Sequence, residues 1–189
     1  FFIEYWIDAN LLSGYFNAQL SCGEISEIGS SISFNSYYCN DPTFTLLNLT
    51  AYPNTRTIII GDHSFKSTYS FILSNMIRLE SLKIGKYSFV ISKDLTLMSS
   101  FIIQDCPTLF TVTIEDHSFL YYGNTVSIIN CERLRDITFL GDNFLSAQIF
   151  QLQELYYLRV LDLRANCFPS LREVRFISRE SFIVSNRSE

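Results

Sequence analysis

Five eleven-residue segments share one frame: TRTIIIGDHSF (55–65), LESLKIGKYSF (79–89), LFTVTIEDHSF (109–119), LRDITFLGDNF (134–144) and LRVLDLRANCF (158–168). A chain that repeats itself at this interval cannot close a core within one unit. Neighbouring units must stack and bury apolar surface for one another. The starts at 55, 79, 109, 134 and 158 lie 24, 30, 25 and 24 residues apart. LREVRFISRESF (171–182) reads as a sixth, imperfect copy after a step of only 13, one residue longer before its Phe.

Apolar residues at the fourth and sixth places alternate with polar ones, as in a short strand with one buried face. Columns continue upstream of each first place. Leu47, Phe71, Phe101, Val126 and Phe150 stand eight residues before it, and Leu49, Leu73, Ile103, Ile128 and Leu152 six before it. Three before it come Tyr52, Met76, Cys106, Cys131 and Leu155. The spacing of two between the first two columns predicts an extended return segment rather than a helix. Composition agrees, since 17 Phe and 11 Tyr against 7 Gly and 4 Pro favour strands. The longer step places about six extra residues within 90–100, on a turn or the outer side, where an insertion interrupts no stacking.

The shared pattern L-x-x-[LIV]-x-[LIF]-x-x-[HYDN]-x-F resembles the leucine-rich repeat, most closely at 158–168. The forms F-x-I-x-x-C-P-x-L and I-G-D-x-S-F look like repeat arrays of protist families. The resemblance implies a mainly β solenoid of about five to six coils. Its parallel sheet would line a concave face, with mostly extended or irregular convex segments outside. Residues 47–182 would form the array, 1–46 an N-terminal cap or degenerate repeat with ISEIGSSISF (25–34) its best candidate coil, and 183–189 a tail. It also implies that the ninth place, occupied by His63, Tyr87, His117, Asp142 and Asn166, forms a structural ladder facing inward and bonding backbone groups at the bend.

Both histidines sit in the stretches GDHSF (61–65) and EDHSF (115–119), which set Asp, His and Ser side by side. Successive residues of an extended chain point to opposite sides, so these three side chains cannot converge as a nucleophilic triad. Phosphate-loop, dinucleotide, zincin and nucleophile-elbow signatures are all missing, and no enzyme is expected. Cys106 and Cys131 share a column with Met76 and Leu155, which favours core packing over a disulfide or zinc. Cys22, Cys39 and Cys167 have no ligand spacing, and neither metal nor cofactor is expected. Five cysteines, an odd number, favour a reducing compartment. A cytoplasmic location follows, with a surface or secreted one open if a leader was removed. The start FFIEYWIDANLLSGYF carries Glu4 and Asp8 and reads as neither a membrane span nor a signal peptide. Two N-x-[ST] sequons begin at Asn48 and Asn186 and matter only in a secreted protein.

A net charge of −5 with no basic cluster argues against nucleic acid. Function is then expected on the exposed side chains of the stacked strands, which in solenoids form a rigid continuous surface. Lys83, Lys86, Glu115, Asp136, Asp162, Arg164 and Arg175 mix both signs, which suits a protein partner. The expectation is a monomeric, non-catalytic protein-interaction module. The alternative is a regulatory, spacer or targeting segment of a larger protein whose catalytic domain lies elsewhere.

Overall fold

The computed structural model describes Cys22, residues 30–177 and the backbone of 183–185. The reading of the first sixteen residues, the sequon at Asn186 and the end of the expected tail lie outside the described residues.

The eleven-residue frame becomes one sheet. Its strands are β1 (Ser31–Phe34), β3 (Thr57–Ile60), β5 (Ser81–Ile84), β7 (Thr111–Ile114), β9 (Asp136–Phe139), β11 (Val160–Leu163) and β13 (Ile183–Ser185). The upstream columns become a second sheet of β2 (Leu46–Asn48), β4 (Ser70–Ser74), β6 (Ser100–Gln104), β8 (Thr125–Ile129), β10 (Ile149–Gln153) and β12 (Glu173–Ile177). Each strand pairs in parallel with its counterpart one coil away, giving a seven-stranded and a six-stranded sheet. The chain is a parallel β-solenoid.

Register follows the repeat place by place. The third places Ser31, Thr57, Ser81, Thr111, Asp136 and Val160 are successive partners. A one-residue slip would turn every inward side chain to solvent, and the alternation that specifies the strands forbids it. Places four and six bury Ile58 and Ile60, Leu82 and Ile84, Val112 and Ile114, and Ile137 and Phe139. From the opposite sheet, Phe71, Phe101, Val126 and Phe150 fill the same core.

The return segments are more regular than expected. They form a full sheet, interrupted by a 3-10 helix at Lys93–Met98, where the longest step places its extra residues. That helix buries none of its own residues, so the stack continues beneath it: β4 pairs directly with β6.

The sixth copy is misread in the sequence. Residues 173–177 are not a first-sheet strand but β12, whose Val174 and Phe176 continue the column of Phe150 and Leu152 at the regular interval. The step of 13 is therefore the distance from one sheet to the other within a coil, and no deletion or cap is needed. The first-sheet strand of that coil is β13, in the stretch read as tail. At the other end β1, in the stretch read as cap or degenerate repeat, pairs in register with β3.

Cysteine pairing also differs from expectation. Cys22 and Cys39 form a disulfide, with Cα atoms 5.1 Å apart. Cys39 holds the eleventh place, where later coils carry Phe, and shares their left-handed conformation. Disulfides form and persist in oxidising compartments, which removes the cysteine argument for a reducing one. Cys106 and Cys131 are free and buried in the column shared with Met76 and Leu155, as expected.

Candidate binding face

The corner after each first-sheet strand sorts three consecutive places into three environments. Places nine and eleven both take the left-handed conformation in all six described copies of the corner. Tyr37, His63, Tyr87, His117, Asp142 and Asn166 have φ between 55° and 64°, and Cys39, Phe65, Phe89, Phe119, Phe144 and Phe168 between 51° and 57°. Such a residue costs roughly 1–2 kcal/mol when it carries a side chain. What offsets the cost is visible on both sides.

Inside, the eleventh-place rings stack as one column. Phe65, Phe89, Phe119, Phe144 and Phe168 lie 4.5 to 5.2 Å apart, centroid to centroid, with planes within about 11° of parallel. Outside, the ninth places form a second column. Tyr37, His63, Tyr87 and His117 stack at 4.8 to 5.0 Å. It continues in polar form, with His117 Nε2 3.1 Å from an Asp142 carboxylate oxygen and Asn166 Nδ2 donating to Asp142 at 2.9 Å.

This places the ninth column differently from the inward role the resemblance implied. His63, Tyr87, His117, Asp142 and Asn166 do make a ladder, but a surface one whose side chains bond one another. The buried polar ladder stands one place on. Ser64, Ser88, Ser118 and Asn143 are fully buried. Ser118 Oγ donates to the Gly85 carbonyl at 2.7 Å and accepts the Ser88 N–H at 3.2 Å. Ser88 does the same one coil earlier, to Gly61 and from Ser64. Three of the five clear copies carry Ser here, so the signal was present in the sequence. The geometry explains the swap: two left-handed residues turn places nine and eleven to opposite sides, and the small side chain between them points back at the bend.

The Asp-His-Ser stretches are thus a corner. Asp62 accepts the Lys86 N–H at 2.9 Å, His63 is half-exposed in the ring stack, and Ser64 is buried under it. Among the described residues no group of three or more His, Cys, Asp and Glu could hold a metal ion, and no helix is long and apolar enough to cross a membrane.

Of the seven residues expected to bind, six stand on the first-sheet side and most are already paired. Lys83 reaches Glu115 at 2.9 Å, Lys86 reaches Asp116 at 3.3 Å, and Arg164 reaches Asp162 at 3.3 Å. The hydrogen bond to Glu115 holds the Lys83 ammonium above its ordinary pKa. Asp136 begins β9, two residues below the level of Lys83 and Asp162. Arg175 does not join them: it lies on β12 in the opposite sheet and pairs with Glu173 at 2.6 Å.

Sequence reasoning passed over the apolar members of the first-sheet face. Ile59 beside Lys83 is 42% exposed and Val160 beside Asp136 is 39% exposed. Arg135 stacks on Phe110, its guanidinium carbon 4.7 Å from the ring centre. The outward face of the second sheet is unlike this one, because β2 to β10 place no charged side chain on it. Comparison with family models, with curated proteins and with solved structures returns no match for this chain.

Proposed function

We propose that the chain is a segment of a leucine-rich-repeat array that binds a protein partner on its first sheet, without catalysing a reaction. The observation that carries this reading is the company of exposed Ile59 and Val160 with opposite charges on one rigid, in-register surface. Desolvated apolar anchors supply affinity at protein interfaces, and a surrounding pattern of both signs supplies orientation and selectivity. The binding set becomes Lys83, Lys86, Glu115, Asp136, Asp162 and Arg164, joined by Ile59 and Val160. The repeat kinship is supported at places one, four and six. The outward ninth place departs from what that kinship implies.

A second reading is favoured by a specific feature. Three of the charged pairs are satisfied within the molecule, which suits a solvated spacer of a larger protein. A photo-crosslinking residue introduced at position 59 on the first sheet, or at 102 on the second, separates the two. A discrete partner crosslinked from 59 and not from 102, and lost with Lys83→Glu, supports the binding face. No crosslink from either position supports the spacer.

A further inference from the structure

Asn48-Leu49-Thr50 sits where such a tripeptide can be used. Leu47 and Leu49 are fully buried in the two core columns, so the alternation of the strand turns Asn48 outward, and it is exposed on the last of the described strands of its sheet. Its Oδ1 accepts the Thr50 N–H at 3.0 Å. Its amide nitrogen has no hydrogen-bond acceptor among the described residues. Next to it along the sheet come Ile72, Ile102, Ser127 and Gln151, and the row meets its first charge only at Arg175 on β12.

The Cys22–Cys39 disulfide independently points to the compartment in which this chemistry happens, because a stable disulfide and an N-linked glycan are products of the same secretory route. We propose that Asn48 is an N-glycosylation acceptor and carries an oligosaccharide at the β2 end of the second sheet. The donor is an oligosaccharide linked through pyrophosphate to a membrane lipid. Asn48 Nδ2 forms a bond to the anomeric carbon, and the bond from that carbon to the pyrophosphate oxygen breaks. The lipid pyrophosphate leaves with the electron pair, and the amide nitrogen gives up one proton to a base of the transferase. No oxidant or reductant enters. The glycan would cover the β2 end of the second sheet, where no strand residue is charged, and leave the first sheet, with Ile59 and Lys83, open on the opposite side.

The test directs the full chain into the endoplasmic reticulum of eukaryotic cells behind a cleavable leader. Peptides from secreted and retained protein are then mapped after release of glycans by an amidase in heavy-oxygen water. The expected result is heavy-oxygen-labelled aspartate at position 48 in most chains. Occupancy should fall to none with Asn48→Gln or Thr50→Ala, and persist with Thr50→Ser and Asn186→Gln. Wild-type chains that contain the Cys22–Cys39 disulfide and an unmodified Asn48 peptide would overturn the proposal, since they passed through the compartment without being used. The mapping is made on wild type, so the decision does not depend on whether a variant folds.

Discussion

Ser118 shows at the residue scale how much one small side chain carries when it sits between two left-handed neighbours. It is buried, donates to Gly85 and accepts from Ser88. Ser118→Ala should cost about 1–3 kcal/mol by orphaning both groups. His117→Leu should cost less, about 1 kcal/mol or under, because it removes only a surface stack and a half-exposed polar contact with Asp142. Urea denaturation of the two variants checks the order, and a larger loss for His117→Leu would restore the inward role to the ninth place. Cys167 offers a second test. Burial pushes its thiol from an ordinary 9.0 up to about 11. The native state holds a proton that the unfolded chain releases between these values, so stability should fall as pH rises from about 9 toward 11. Below about pH 8 its ionisation should have no effect. The difference in melting temperature between wild type and Cys167→Ala should stay constant up to about pH 8 and change only at the alkaline end. The ninth place was legible as a ladder because His, Tyr, Asp and Asn share a polar edge. Its direction was not, since side-chain direction at a corner depends on the sign of φ and the letters do not carry it.

Strands and their columns were the most legible elements, because inward places repeat residue type and strand period is fixed at two. The second sheet was readable in Leu47, Phe71, Phe101, Val126 and Phe150 for the same reason. The error at 171–182 came from the same period: LREVRF alternates like a first-sheet strand, and only the interval from Phe150 to Val174 assigns it correctly. The Phe column gives a prediction at this scale. Phe119 stacks between Phe89 and Phe144 and meets Tyr122 edge-on, so Phe119→Ala should cost about 3–5 kcal/mol. At φ 53°, glycine should be the better replacement, reversing the usual preference inside regular structure. Chemical denaturation of both variants decides it, and Ala more stable than Gly would count against the left-handed corner. A β-carbon on Gly123 would fall 1.8 Å from the Thr96 methyl in the inserted helix. Gly123→Ala should therefore speed amide exchange over 93–98 while leaving β6 and β8 protected.

The whole molecule behaves as a stack, since every sheet contact is between neighbouring coils. Stability should then be graded along it. Val174 and Phe176 are 44% and 43% exposed, while Phe150 and Leu152 in the same columns are buried. Hydrogen exchange should be slowest in β5, β7 and β9 and markedly faster in β12; uniform protection would mean that the coils unfold as one unit. The architecture at this scale was legible because a repeat of near-constant length has few ways to stack. The disulfide was not, because its two cysteines lie in a stretch where the frame is too eroded to align by letters. The in-register parallel pairing also has a mechanical consequence. A force applied to the two ends along the stack loads the hydrogen bonds of one strand pair at a time, as in opening a zipper, instead of shearing all of them together. The chain should unspool at low force, and each released coil of 24 residues should lengthen it by about 80 Å. The coil between β5 and β7 spans 30 residues and should leave one longer step, about 100 Å, in an otherwise even trace.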